Sequence, residues 1–432
     1  MTNIWAGADL GSTNIKVLLT DRDGNVLARA ARPTPRNGQR THADALVDTI
    51  EELILQAARR VSGSRLRGVC VAGVGEDGIL HDDGRPLGTA LPWFDPARRA
   101  VVDQLAALRR PDDRIRYGVD LDAARTLAAW ALLSPAETAA ATGWVACTDY
   151  PALRWTGRAV MSSSLAPRTG AWLLEPGRWD PDRVTPHLPL DLLPQVVPAG
   201  TVIGELRSTR LAELLSSDAV VVAGGHDHPV GASVVHRQDP GMPLDSMGTA
   251  EVIVRTVETT RPPRDVDLSP AILGTGRTAL TVLELDRNMA WLRRSGPGAQ
   301  INAILAGDLV PPPPHPRVFL PGAEGGEAPH WTPAARHLSD QQRAAAAVWQ
   351  LAKAGAAALH NLAPDTPVIY STGGWTRAPG WMRLKVAAAG RPYRLLAEPE
   401  LTALGAAHLA LPGPIAPVPV CDIMSESPIA YP

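Results

Sequence analysis

Two glycine-hydroxyl turns and one carboxylate hold the chemistry that can be read directly from this chain. The first turn is Gly11-Ser12-Thr13-Asn14, flanked by apolar stretches that carry Asp9 and Lys16. The second is Gly248-Thr249, within Ser246-Met247-Gly248-Thr249-Ala250-Glu251-Val252. A turn without side-chain bulk exposes backbone N–H groups, and such a nest binds anions. Between the turns stands Gly224-Gly225-His226-Asp227-His228, just past an apolar run. Asp227 is a candidate general base, aimed at a substrate hydroxyl. Asp9 could hold Mg²⁺ through water, because that ion keeps most of its hydration shell. Together these residues describe a grip on phosphates and a carboxylate that takes a proton from an acceptor.

Each motif has a plainer competitor. The first turn could be an ordinary hairpin corner, with Lys16 alternating out to solvent. Asp227 could begin a helix, since Pro229 suits a first helical turn. His226-x-His228 could be half of a hydrolase metal site, but His236, His315, His330 and His337 offer no matching ligand spacing. Gly73-Val74-Gly75-Glu76-Asp77-Gly78 matches the dinucleotide pattern G-x-G-x-x-G. That site needs a helix to start there. The sequence that follows, Ile79-Leu80-His81-Asp82-Asp83-Gly84, reads instead as a strand and a turn. The segment is therefore expected to be a substrate loop, with Glu76 and Asp77 accepting hydrogen bonds from hydroxyls. Trp93-Phe94-Asp95-Pro96-Ala97-Arg98 sets an indole, a carboxylate and a guanidinium together, a combination suited to a sugar. Its competitor is a core tryptophan beside a surface ion pair. No lysine follows a glycine, so a P-loop is excluded.

The elements that must position these residues follow from patterning. Residues 3–10, 15–20 and 25–32 read as an antiparallel meander turned by Asp21-Arg22-Asp23-Gly24-Asn25. An amphipathic helix over 43–61 and an apolar strand over 68–74 follow. Three strands before the first helix is not the order of a doubly wound nucleotide fold. Residues 95–190 are expected to be mostly helical, and 218–224 a buried strand. The polar turn at 236–241 is taken as the domain boundary, giving domains 1–237 and 238–432. The second hairpin starts just beyond it, about half a chain from the first, which suggests an internal repeat. Pro311–Pro314 reads as a stiff connector. Ser339 and Gln342 form a capping box for a helix to about Leu362. A strand at 368–371, a turn at Thr372-Gly373-Gly374, a helix to about Ala389 and a last apolar helix at 401–410 complete the chain. The tail from Pro412 is expected to be irregular.

The chain has 432 residues, enough for two domains. Its formal charge of −2 implies no attraction to nucleic acid or anionic membrane. Arginine supplies nearly all the positive charge, a genome-composition bias that leaves single arginines with little meaning. Cys70, Cys147 and Cys421 are far apart and read as reduced core cysteines. Without a leader pattern or a membrane-length apolar run, a cytoplasmic location is expected.

In this order the segments resemble the FGGY carbohydrate kinases of the actin-like ATPase superfamily. Asp9 through Lys16 resembles that family's first phosphate motif, Gly224-Gly225-His226-Asp227 its catalytic aspartate segment, and Ser246-Met247-Gly248-Thr249 its second phosphate motif. Trp155-Thr156-Gly157, within 149–170, resembles its "Leu-Thr-Gly … Ser-x-Ala" region. Phe319-Leu320-Pro321-Gly322 with Gly326-Glu327-Ala328-Pro329-His330-Trp331 resembles its "Gly-Glu-Arg" signature. Thr372-Gly373-Gly374-Trp375 resembles its adenosine motif, and Ala403 to Ala407 its closing helix. Glu76, Ala328, Ser162-Ser163-Ser164 and Leu384-Lys385 depart from the usual residues. The substrate loop and second phosphate motif look nearest to the fuculokinase and rhamnulokinase branch, which acts on 6-deoxy-ketohexoses. The Met-His pair usual in xylulokinases is absent.

The resemblance implies an α/β fold of two ribonuclease H-like (actin-like ATPase) domains with a cleft between them. It implies ATP and Mg²⁺ as cofactors and a ketose or related polyol as the acceptor. Gly11, Ser12, Thr13, Asn14, Lys16, Gly248, Thr249, Gly373, Gly374 and Trp375 would then bind ATP. Glu76, Asp77, Trp93, Asp95, Arg98 and His228 would hold the sugar. Asp227 would be the base, and Asp9 with Asp227 would influence the metal. No nucleic acid or membrane partner is expected, and a homodimer is left open. A sensor that binds sugar or nucleotide without catalysis is the main rival, and the His-x-His hydrolase the lesser one.

Overall fold

The computed structural model describes residues 2–259, 261, 263, 265–311, 318–322 and 328–423. Pro312 to Pro314 of the expected connector, and Gly326 and Glu327 of the signature, lie outside the described residues. The chain divides into two compact units. The first comprises Met1–Arg237, Val257–Thr278 and Glu400–Pro417. The second comprises Gln238–Thr256, Ala279–Pro399 and the described part of Val418–Pro432. The division is not linear in sequence, because two later segments return to the first unit.

The first unit opens with β1 (Thr2–Leu10), β2 (Asn14–Thr20) and β3 (Val26–Pro33) as an antiparallel meander. Asp21 closes the second turn by accepting from the backbone N–H groups of Asp23 and Asn25, both at 2.9 Å. Helix α1 (Ala43–Ala58) follows and buries Leu46, Ile50, Leu53, Ile54 and Ala57, the stripe that its helical spacing dictates. Strand β4 (Ser64–Gly73) then runs parallel to β1. Val69 and Val71 join the core under α1, while Cys70 and Ala72 join a second core with Ala406 and Ala410. Burial on both faces explains why β4 reads as an unbroken apolar run. The sheet order is β3, β2, β1, β4, Leu215–His226, Val202–Glu205.

The second unit repeats this plan. From Arg277–Leu283 onward the sheet order is Arg277–Leu283, Glu251–Val257, Leu244–Met247, Ile369–Thr372, Tyr393–Leu396, Val420–Ile423. Leu244–Met247 pairs antiparallel with the next strand and parallel with Ile369–Thr372, as β1 does with β2 and β4. In each sheet a parallel neighbour follows, then an antiparallel edge. The repeat suggested by the two hairpins is thus present as topology. Ser339 caps the helix Asp340–Leu362, accepting from Gln342 N at 3.3 Å while Gln342 Oε1 accepts from Ser339 N at 3.0 Å.

Three expectations need correction. The tail is not wholly irregular: Val420–Ile423 pairs with Tyr393–Leu396. Pro412, Pro414, Pro417 and Pro419 lie before the strand, so the ladder forms beyond them. The middle is not mostly helical. Short helices such as Thr126–Trp130 and Pro135–Ala139 alternate with strands such as Gly143–Ala146, because prolines and glycines recur too closely for long helices. Cys70 and Cys147 are buried, but Cys421 is exposed on the edge strand.

Candidate active site

In the first unit the meander presents the first turn as a closed hairpin corner, with Gly11 N donating to Asn14 O at 3.1 Å. Asp9 sits opposite Lys16 in the ladder. Lys16 is not simply solvent-facing: its Nζ lies 2.6 Å from Glu400 Oε2 and 3.9 Å from Asp9 Oδ2. Ser12 is held from two sides. Arg36 donates to its carbonyl at 2.7 Å, and the Trp93 indole donates to its hydroxyl at 3.1 Å. Trp93, expected among the sugar contacts, thus braces the first turn.

Asp227 follows the strand Leu215–His226 and is the first residue of the helix Asp227–Gln238. It starts a helix, and its carboxylate remains 23% exposed. Its Oδ1 accepts from His228 N at 2.7 Å and lies 3.2 Å from His226 Nε2. Burial holds His226 down at about 3, so its ring is neutral at ordinary pH. Behind it, Ser164 Oγ accepts from His226 N at 3.0 Å and lies 3.2 Å from Ser162 Oγ. Burial pushes the Asp9 carboxyl up to about 7; Lys16 opposes this, and the charge of Asp227 adds to it. Asp9 and Asp227 are therefore close enough to repel. Among the described residues no three His, Cys, Asp or Glu side chains gather as metal ligands, which leaves His226-x-His228 without a third.

G-x-G-x-x-G opens no helix. Gly78–Asp82 is a strand, as read. Its two acids differ in setting. Glu76 is 5% exposed, and Arg168 Nε donates to its Oε1 at 2.6 Å, with Arg125 at 3.5 Å. Arg168 also donates to Asp267 at 2.8 Å, and Arg125 lies 3.4 Å from it. Glu76 is one node of a buried Arg–carboxylate network. Asp77 is more open, accepts from the backbone of Trp93, and is pushed up to about 7 by burial. Arg98 is fully buried: its guanidinium donates to the carbonyls of Leu91, Glu76 and Ala124 and faces Asp77 at 3.4 Å. Asp95 caps the helix Pro96–Ala100 by accepting from Ala97 N at 2.9 Å. Both act on the loop's shape. Sequence reasoning does not reach Arg125, Arg168 and Asp267: the arginines follow a composition bias, and Asp267 lies 191 residues from Glu76 in the chain.

In the second unit the hairpin turn and the adenosine motif line one cavity of about 540 Å³. Gly248 and Thr249 form one wall, and Gly374, Trp375, Arg377 and Ala378 another. Asp286, Arg293 and Leu305 complete it, and the Arg293 guanidinium lies 5.3 Å from the Trp375 ring centroid. Asp286 N also donates to Thr249 O at 3.0 Å, fixing the turn. Neither Asp286 nor Arg293 carries a sequence signal.

Asp149 tests how burial acts near the site. It is 3% exposed and accepts from Ser162 N at 3.3 Å; burial pushes its carboxyl up to about 7. The folded state thus holds this proton more tightly than the unfolded chain, whose aspartates titrate near about 4. Stability from the group is complete below about pH 4 and is lost as pH rises through about 7, by at most about 1.4 kcal/mol per unit. Asp9 and Asp77 titrate in the same window. Asp149→Asn should flatten the fall in thermal midpoint between about pH 5 and 7. An unchanged slope would show that burial does not act on Asp149 in this way.

A mixed α/β sheet whose first antiparallel hairpin closes on a glycine turn recurs in the two units. Residues 4–233 match the model for the FGGY family of carbohydrate kinases, N-terminal domain, and the chain belongs to that family. Such kinases use ATP. The chain is 28% identical to the xylulose kinase of Streptomyces coelicolor over 94% of this chain and 86% of that one. It is 29% identical to the glycerol kinase of Rhodospirillum centenum over 93% and 88%. The L-fuculokinase of Escherichia coli K12 is 25% identical, over 57% of this chain and 55% of that one. The near-complete matches are therefore to xylulose and glycerol kinases, and the expected nearness to the fuculokinase branch gives way to the family as a whole. In structure, the xylulose kinase of Rhodospirillum rubrum shares the fold, with a TM-score of 0.83 at 23% identity over 94% of this chain and 89% of that one. No helix among the described residues is long and apolar enough to cross a membrane.

Proposed function

We propose that this carbohydrate kinase transfers the γ-phosphate of ATP to a hydroxyl of a ketose or related polyol, with Asp227 as general base. The observation that carries the reading is the setting of Asp227. Its carboxylate is partly exposed, oriented by His228 N and beside a neutral His226, and it lies within electrostatic reach of Asp9. Phosphoryl transfer is chiefly positioning and charge stabilisation. Within the first unit Asp77 is the more open of the two loop acids and takes hydroxyls, while Arg98, Asp95 and the Arg168 network hold its loop. Within the second, Gly248 and Thr249 take phosphate and Gly374 and Trp375 lie beside adenosine.

Mg²⁺ fits the donor set. Asp9 and Asp227 repel one another, and a divalent cation with most of its waters retained relieves that repulsion. The ion would neutralise phosphate charge. Lys16 and Glu400 keep Asp9 aligned, and Asp227 orients the acceptor hydroxyl and removes its proton. The names of the relatives favour pentulose and triol acceptors as the first to try.

The test is an ADP-release screen over ketopentoses, ketohexoses, 6-deoxy-ketoses, tetruloses, glycerol and cyclic polyols, with the phosphate position read by NMR. One acceptor should raise ADP release well above the ATP-only rate. Release that no ketose or polyol stimulates would overturn the assignment.

A further inference from the structure

The second unit contains a fully buried lysine that the reaction does not use. Lys385 lies on the helix Pro379–Ala389 with no exposed side-chain surface. Its Nζ is 3.1 Å from Asp245 Oδ2 and also contacts Glu251 Oε1. Tyr393 OH donates to Asp245 Oδ2 at 3.1 Å. Asp245 and Glu251 stand on the two strands of the Gly248-Thr249 hairpin. In the ladder Asp245 faces Ile253 and Met247 faces Glu251, so all four side chains share one face of the sheet. That face is fastened to one helix. Trp381 Nε1 donates to Met247 Sδ at 3.2 Å, and Lys385, one turn on, holds the carboxylates. Gly355 closes the space: a Cβ there would lie 2.1 Å from Glu251 Oε1 and 2.3 Å from Lys385 Nζ.

The same helix follows directly on the other wall of the nucleotide cavity, Gly374 to Ala378. At Gly373, with φ of +102°, a Cβ would lie 2.3 Å from Met247 O, so the two motifs touch through backbone. We infer that Lys385, bridging Asp245 and Glu251, is a positioning residue that sets the Gly248-Thr249 turn against the Gly374–Ala378 wall. The inference rests on the reading that this cavity takes the nucleotide. Burial alone would lower the Lys385 pKa, but the charges of Asp245 and Glu251 outweigh it and keep the ammonium charged. A tether this short pre-organises the turn, so that binding need not order it. Its sequence signal was the departure at Leu384-Lys385, which by itself named no partner.

Lys385→Met would strand two buried carboxylates and lose the fold through charge burial alone, so Glu251 is the informative position. Glu251→Ala leaves Asp245 and Lys385 as a matched pair and removes only the tether beside the turn. ADP binding to the full chain by calorimetry should weaken at least about tenfold, because small displacements of binding groups are costly. The KM for the acceptor should stay within about twofold, since that side uses other residues. Glu251→Gln should recover ADP affinity, because its amide oxygen still accepts from Lys385. A folded Glu251→Ala protein that binds ADP as tightly as the parent overturns the inference. A parent protein that binds no ADP overturns the nucleotide reading instead.

Discussion

Asp227→Asn should fold, bind ADP like the parent and transfer phosphate on the order of 10²–10⁴ times more slowly, the usual loss on removing a general base. The structure explains why only chemistry should suffer. Asn keeps an oxygen that can accept from His228 N, so the start of the helix Asp227–Gln238 is preserved. His226 is buried and neutral, and it loses no charge partner it depends on. What disappears is a carboxylate able to take the acceptor proton and to share a cation with Asp9. Removing its negative charge also relieves Asp9, whose carboxyl should then titrate lower than about 7. Turnover within about threefold of the parent would remove Asp227 from the role of base.

Arg168→Met should destabilise the first unit strongly. Its guanidinium bonds both Glu76 and Asp267, and the side chains are only 11%, 6% and 14% exposed. Without it two nearly buried carboxylates are left to Arg125 and, on Asp267, Arg114. Breaking a buried pair by removing one partner costs about 3–5 kcal/mol, because the other charge remains desolvated. Urea unfolding reads this directly. Adding Glu76→Gln to Arg168→Met should recover part of the loss, with a coupling of about 0.5–3 kcal/mol. A loss below about 1 kcal/mol, or strictly additive variants, would show the network to be ornamental. The same variant should raise the acceptor KM, since Asp77 adjoins Glu76 on the loop that Arg98 and Trp93 hold.

Local pattern carried much of this protein. The meander, α1 and β4 follow from alternation, turn chemistry and helical spacing, which act over a few residues and do not wait for the fold. The failure of G-x-G-x-x-G to open a helix was equally local, because Ile79-Leu80 continues as strand. The capping box at Ser339 and Gln342 was readable from its spacing, and so were both glycine turns and Asp227. What only the tertiary structure decided were pairings between distant segments. Arg168 meets Glu76 and Asp267 across 92 and 99 residues, and Lys385 meets Glu251 across 134. Nothing in a residue's neighbours records such a partner. The structure also decided which polar groups are enclosed. Arg98 and Asp95 have the residue types of a sugar site, yet burial and capping turn them to holding the loop. A carboxylate's type is written in the chain; whether water still reaches it depends on the segments that fold over it.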